Sequence, residues 1–183
     1  MIVTRTSLTD AAPYDLDAVK AHARVDGDHD DASLAMMADA AAREIEAHSE
    51  LALLRQIITV SLTRTAGPIR LPVGPLDLLA LDDHPVTVQT RQADGSLLAW
   101  PQGWWIDPAR NPVLHLDAVD GDSLVITYPA GFGDTAGSIP ADLQLAIMDQ
   151  AARSYDLRGA EDAVQGLSLA ASRIAARYRR VAV

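Results

Sequence analysis

The spacing of apolar residues changes twice along this chain, and that change limits the fold more than any other feature. Leu34, Met37, Ala38, Ala41, Ile45 and His48 fall three and four apart, with Asp39, Arg43, Glu46 and Glu50 opposite them. That spacing predicts an amphipathic helix running to about Ser49. After Leu54 the period drops to two. QIITVSLTR alternates and is rich in β-branched residues, and IRLP, LDLLAL, VTVQTR, SLLAW, WWID, VLHL and SLVITY follow it. GP, DDHP, ADG, PQG, PARNP and DGD punctuate these segments, so six or seven short strands should form a small antiparallel sheet, sandwich or barrel. Beyond Pro140 the helical period returns with Leu143, Ala146, Ile147, Ala151 and Tyr155, a stripe that Leu145, Met148 and Ala152 widen.

Helices, then strands, then helices predict an α+β fold. In the economical arrangement, residues 1–54 and 130–183 pack together as a helical core, and residues 55–129 form a β-domain inserted between them. Neither helical end carries enough large apolar residues to bury its stripe alone. A short helix is expected over Tyr14–Arg24. VDGDHDDAS then interrupts, with Asp30 or Asp31 placed to cap the next helix. Pro140 suits a first helical turn, where its missing N–H costs nothing, and Asp142 favours the positive end of the dipole. Gly159 should end that helix or lie just beyond it, and a last helix is expected over about Leu167–Tyr178.

The chain has 183 residues, 49% of them hydrophobic, which suits one domain with a sizeable insertion. Fifteen basic residues against 25 acidic ones give a formal charge of −10. That argues against a broad basic grip on nucleic acid, though not against DNA passing by. The absence of cysteine rules out disulfides and thiolate metal sites. MIVTRTSLTDAAP does not resemble a signal peptide, and no run approaches the roughly 20 apolar residues of a membrane span. A soluble protein made in the cytoplasm, with no membrane partner, is expected.

The stretch VITYPAGFGDTAGSIPADL places a glycine loop, with Gly131, Gly133 and Gly137, between a strand and a helix. A dinucleotide cradle needs G-x-G-x-x-G opening directly into the helix. Here the third glycine is one position late, Ser138, Ile139 and Pro140 intervene, and no strand follows to complete a βαβ unit. The loop is expected to be a flexible connection whose glycines take positive φ. Counted from Asp26, a calcium loop would need glycine at Asp31 and glutamate at Met37, so that pattern fails twice. His22, His29, His48, His84 and His115 form no metal-binding pair, and Glu44 with His48 is half of a zincin motif at most. The pairs Asp28/Asp30 and Asp120/Asp122 lie in turn-like contexts, and no serine sits in G-x-S-x-G. No catalytic, cofactor-binding or metal-ligating residue is assigned, and no cofactor is expected.

Two features stand out. Trp100, Trp104 and Trp105 fall within six residues of a chain that is 4% aromatic. One or two should close the small β-core, and an exposed ring should serve a subunit or tail-side interface. A rival reading makes the three a binding module for a glycan or a nucleic-acid base, and a third makes the paired aspartates a metal-dependent hydrolase. From Ser168 onward there are four arginines, Arg173, Arg177, Arg179 and Arg180, and no acid, whereas the first fifty residues carry eleven acids and four bases. A basic end on an acidic body suits head-to-tail association or a partner with an acidic groove.

The chain resembles the phage head–tail connector (adaptor) family, including its relatives in gene transfer agents. The resemblance rests on LDAVKAHARVDGDHDDASLAMMADAAAREIEAH, on IRLPVGPL, on ITYPAGFGD…IPADLQLAIMDQAARSYDLRG, and on the closing IAARYRR. Ala23 stands where a leucine is common, and the β-region matches in outline only. The resemblance implies a non-enzymatic subunit of a ring, usually dodecameric, at the head–tail junction of a phage-like particle assembled in the bacterial cytoplasm. Its partners would be the portal protein, the next head-completion (stopper) or tail protein, and DNA crossing the channel without sequence-specific binding. The portal interface is then expected at Arg173, Arg177, Tyr178, Arg179 and Arg180, with a hinge at Gly131, Gly133 and Gly137.

Overall fold

A computed structural model describes residues 1–63, 67–101, 103–116, 123–158 and 166–179. The chain divides into two compact units. One comprises Met1–Thr9 with Arg55–Phe132, the other Asp10–Leu54 with Gly133–Val183. Among the described residues, all strands lie in the first and all α-helices in the second, so the class is α+β.

The sheet unit contains β1 (Ile2–Ser7), β2 (Gln56–Thr63), β3 (Ile69–Arg70), β4 (Thr87–Arg91), β5 (Leu97–Ala99), β6 (Trp104–Asp107), β7 (Val113–Leu116) and β8 (Ser123–Ala130). Five form one sheet in the order β1-β2-β8-β4-β5, and three form another in the order β3-β7-β6. Every pairing is antiparallel. The alternation read in QIITVSLTR is real, because β2 buries Ile58 and Val60. β8 is the middle strand, which explains its nearly unbroken apolar run: Leu124, Val125, Ile126, Tyr128 and Ala130 are all buried. The Tyr128 hydroxyl donates to the Val73 carbonyl at 2.9 Å and accepts from the Val73 N–H at 3.2 Å.

The opening residues depart from the helical reading of the N-terminal region. Ile2–Ser7 is a strand, paired with β2 from Ile2↔Ser61 to Ser7↔Gln56. All six of its side chains are exposed, so no buried face imposes an alternation that a sequence could display. Its backbone ladder makes the strand. Gln56 also pairs with Ala130. Ser7, Gln56 and Ala130 therefore stand in one row, close in sequence to the three points where the chain passes between the units, after Thr9, before Arg55 and after Phe132.

The helical unit contains α1 (Leu16–Ala23), α2 (Asp31–Ser49), α3 (Ala141–Asp156) and α4 (Leu169–Ala176). α3 packs against the other three, so the N-terminal and C-terminal helices share one core as expected. That core holds Leu34, Ile45, Leu143 and Ile147 among many alanines, including Ala38, Ala41, Ala146, Ala151, Ala171 and Ala175. Small side chains at the contacts let helix axes approach closely. Asp15 caps α1 by accepting from the Asp17 N–H at 3.0 Å. Two sequence expectations shift by a position or a role. Pro140 precedes α3 rather than lying in its first turn, and its carbonyl accepts from the Leu143 and Gln144 N–H groups. Asp30 precedes α2 but its side chain does not cap the helix. It accepts the Tyr155 hydroxyl instead. Gly159 lies outside the described residues.

Candidate functional site

The basic C-terminal segment is held from beneath by α3. The Ser168 hydroxyl accepts from the Ala171 N–H at 2.9 Å, capping α4, and donates to Asp149 at 2.5 Å. The Ser168 N–H donates to Gln150 Oε1 at 2.7 Å, and Gln150 Nε2 donates to the Gly166 carbonyl at 3.3 Å. Gln150 is buried, so its amide is committed to holding the turn that starts α4. At the other end the Tyr178 hydroxyl donates to Asp142 Oδ1 at 2.7 Å. α4 buries Ala171 and Ala175 and leaves Arg173, Arg177 and Arg179 exposed. Arg180 lies outside the described residues. Tyr178, grouped with the arginines in the sequence reading, is half-buried and serves as an anchor through its hydroxyl.

The three tryptophans do not form one platform. Trp100 follows β5 in the five-stranded sheet, where its N–H donates to the Val88 carbonyl at 2.8 Å and its side chain is half-buried. Trp104 and Trp105 belong to β6 in the other sheet. Being consecutive in a strand, they point to opposite faces. Trp104 is half-buried, while Trp105 is exposed and stacks on His115 of β7, ring centroids 3.8 Å apart and planes 3° from parallel. One exposed ring is what the sequence reading assigned to an interface.

Two glycines of the loop take positive φ, and its later part is tied to α3. Gly131 and Gly133 take φ of 135° and 147°, a region that favours glycine. A Cβ on Gly133 would lie 2.6 Å from the Ser138 hydroxyl. Gly137 needs no such freedom and sits in a short 3-10 turn, Ala136–Ser138. Gln144 Nε2 donates to the carbonyls of Ala136 at 3.0 Å and Ile139 at 2.7 Å, tying the later part of the loop to α3.

Part of the acidic run at the start of α2 is paired with cations from elsewhere in the chain. Lys20 Nζ lies 2.7 Å from Asp28 and 2.8 Å from Asp31. Its hydrogen bonds to these carboxylates raise the lysine pKa, and the same contact lowers that of Asp28. Asp30 is held below the usual carboxylate range, first by the Tyr155 hydroxyl and further by Arg158. Arg158 lies 3.6 Å from Asp30 and 3.6 Å above the Tyr155 ring. Asp28 and Asp30 thus face different cations. Asp120 and Asp122 lie outside the described residues. Among the described residues no group of three or more His, Asp or Glu is set to hold a metal, and no helix is long and apolar enough to cross a membrane.

LDLLAL, expected as a strand, instead forms a short 3-10 turn over Leu78–Ala80, because Asp77 caps it. Leu79 is 86% exposed. Beneath it, Asp77 is buried, accepts from the Leu79 N–H at 3.0 Å and pairs with Arg55 Nε at 2.6 Å. The signal was present: an aspartate ahead of LLA is a turn cap.

No protein-family model matches the chain, and no curated protein matches it. Solved structures do. A chain in the neck of an empty gene transfer agent (GTA) particle, computed with C6 symmetry, aligns with a TM-score of 0.80 at 23% identity. A chain in the virion of a native GTA particle aligns at 0.78 with 24% identity. One in the neck of a native GTA particle, computed with C12 symmetry, aligns at 0.73 with 25% identity. Each alignment covers 100% of this chain and 97% of the other. The structure thus resembles GTA neck chains over its whole length, consistent with the connector family to which the sequence is similar.

Proposed function

We propose that this chain is a structural subunit of the neck of a phage-like particle of the gene transfer agent type, located at the head–tail junction. One observation carries the reading: the whole chain, both units included, shares its fold with GTA neck chains. The role is structural and needs no catalytic site. The C6 and C12 symmetries of those neck structures support a ring of this subunit, and twelve copies is the number we adopt. A closed ring needs two different surfaces on each copy.

Finer assignments follow from the exposed groups. The arginine-bearing segment, Arg173, Arg177, Arg179 and Arg180, docks on the portal protein, with Tyr178 anchoring it to α3. Exposed Trp105 faces a neighbouring subunit or the next stopper or tail protein. A net charge of −10 suits a channel that DNA crosses, since an acidic wall repels phosphates and lets the duplex slide. Gly131 and Gly133, beside the crossing from the sheet unit to the helical unit, act as the hinge.

Electron microscopy of particles from cells lacking the gene tests the role. Tailless heads, or separate heads and tails, are expected; normally tailed particles would refute it. Arg177→Glu with Arg180→Glu should abolish portal binding while circular dichroism stays unchanged. Undiminished binding would remove the docking assignment and leave the neck role in place.

A further inference from the structure

We propose that copies of this chain join by adding β1 of one copy to β5 of the next, continuing the five-stranded sheet across the subunit boundary. β1 and β5 are the two outer strands of that sheet, and among the described residues no strand pairs with the outer edge of either. An open edge presents a row of backbone donors and acceptors, and proteins usually guard it with proline, with charge or by covering it. These edges are weakly guarded. Ile2–Ser7 contains no proline and one charged residue, and Leu97–Ala99 contains neither. Every side chain of both strands is exposed.

The two edges also fit each other. Consecutive residues of a strand face opposite sides of the sheet. Ile2 and Val3 therefore put an apolar side chain on each face of β1, and Leu97 and Leu98 do the same for β5. These four are 70%, 37%, 39% and 55% exposed. Laying Ile2–Val3 beside Leu97–Leu98 covers apolar surface on both faces at once, which cross-strand pairing rewards. Direction fits as well. Four antiparallel steps separate β1 from β5, so the two run the same way. A neighbour in similar orientation then offers its β1 to this copy's β5 as a parallel partner. The contact joins two different surfaces, as ring closure requires. Because β5 has three residues, one such contact falls well short of the roughly 800 Å² per partner of a stable pair. Single contacts are therefore weak, and closing the ring gives each copy two of them. The ring form of the inference rests on the neck reading; the edge pairing does not.

With no native cysteine, the test is clean. The double variant Thr4→Cys, Ala99→Cys places thiols on the two edges, beside the apolar pairs rather than within them. Inside one copy these positions are four strand spacings apart, roughly 19 Å, beyond the reach of a disulfide, whose Cα atoms lie within about 7 Å. Purified double variant at rising concentration, treated with a mild oxidant or a short bis-maleimide, should give a ladder of dimer, trimer and higher bands. Mass spectrometry should find peptides joined from position 4 to position 99. Each single variant should stop at dimer, and Leu98→Glu in the double variant should suppress the ladder. Monomer at every concentration, or a ladder unaffected by Leu98→Glu, would overturn the pairing. The neck reading fails separately: a ladder alongside normally tailed particles from the deletion strain keeps the edge pairing and discards the neck role. Separated heads and tails without a ladder do the reverse.

Discussion

The sheet unit and the helical unit are held together by different means. In the sheet unit, ladders running through β8 fix the backbone, and large side chains fill what the ladders leave: Leu124, Ile126 and Tyr128 are all fully buried. The helical unit reverses the balance. Its contacts are lined with alanine, and much of its specificity comes from polar side chains bonded across long stretches of chain. Asp30 takes the hydroxyl of Tyr155, Asp142 that of Tyr178, and Asp149 that of Ser168. Alanine contacts offer little shape to choose one packing over another, so these bonds set the register of the helices. Ladders already set register in the sheet, and there the side chains are left to supply burial.

The largest test of that contrast is a matched pair of core truncations. Leu124→Ala and Ile147→Ala should each cost about 2–5 kcal/mol. Leu124→Ala should be the worse, because strands fixed by ladders on both sides cannot close on a cavity as packed helices can. Denaturant midpoints measure both, and the opposite order would break the comparison.

Tyr128→Phe comes next. It keeps the ring but leaves the N–H and carbonyl of Val73 without their partner, at about 1–3 kcal/mol. A neutral result would mean that the hydroxyl adds nothing to burial of the ring. Ser168→Ala removes the cap of α4 and its bond to Asp149, a loss of about 1 kcal/mol. Hydrogen exchange should quicken over Leu169–Ala176 and stay unchanged in β8. Faster exchange throughout would show that the cap supports more than its own helix.

The smallest expected effect is a pH dependence of the helical unit. The Asp30 carboxyl is depressed in the folded chain by the Tyr155 hydroxyl. Its contribution is complete above the unfolded value of about 3.9 and is lost as pH falls through the lower folded value. Tyr155 is raised by the same bond, so its share is present below about 10 and lost as pH rises through the folded value. Asp30→Asn should flatten the acid limb of a thermal-stability profile, and an unchanged acid limb would remove this bond from the account.

How much could be read in the sequence follows the same division. α2 and α3 were legible because one face is buried and the opposite face is not, which imposes a period of 3.6. β2 was legible through the same argument at period two. β1 was not, because a strand with both faces exposed leaves no period. The neighbours of Asp30 and Asp31 suggest a cap at either, while the partner that Asp30 takes lies 125 residues away. The tryptophans looked like a cluster because six residues span them, yet the chain turns between sheets after Trp100. Among the residues singled out for assembly, the exposed arginines could be read from composition. The two outer strands could not, since which strand ends a sheet depends on the order of all the others.

The sequence by itself determined the α+β class, the sites of most helices and strands, and an acidic body with a basic end. Those properties follow from local period and charge, which each segment carries alone. The tertiary structure decided the strand order, the union of the chain's opening with the sheet, and the long-range partners of Asp30, Asp142 and Asp149. Each of these is a choice among distant partners that local propensity leaves nearly equal, and only simultaneous burial and hydrogen bonding across the whole unit separates them.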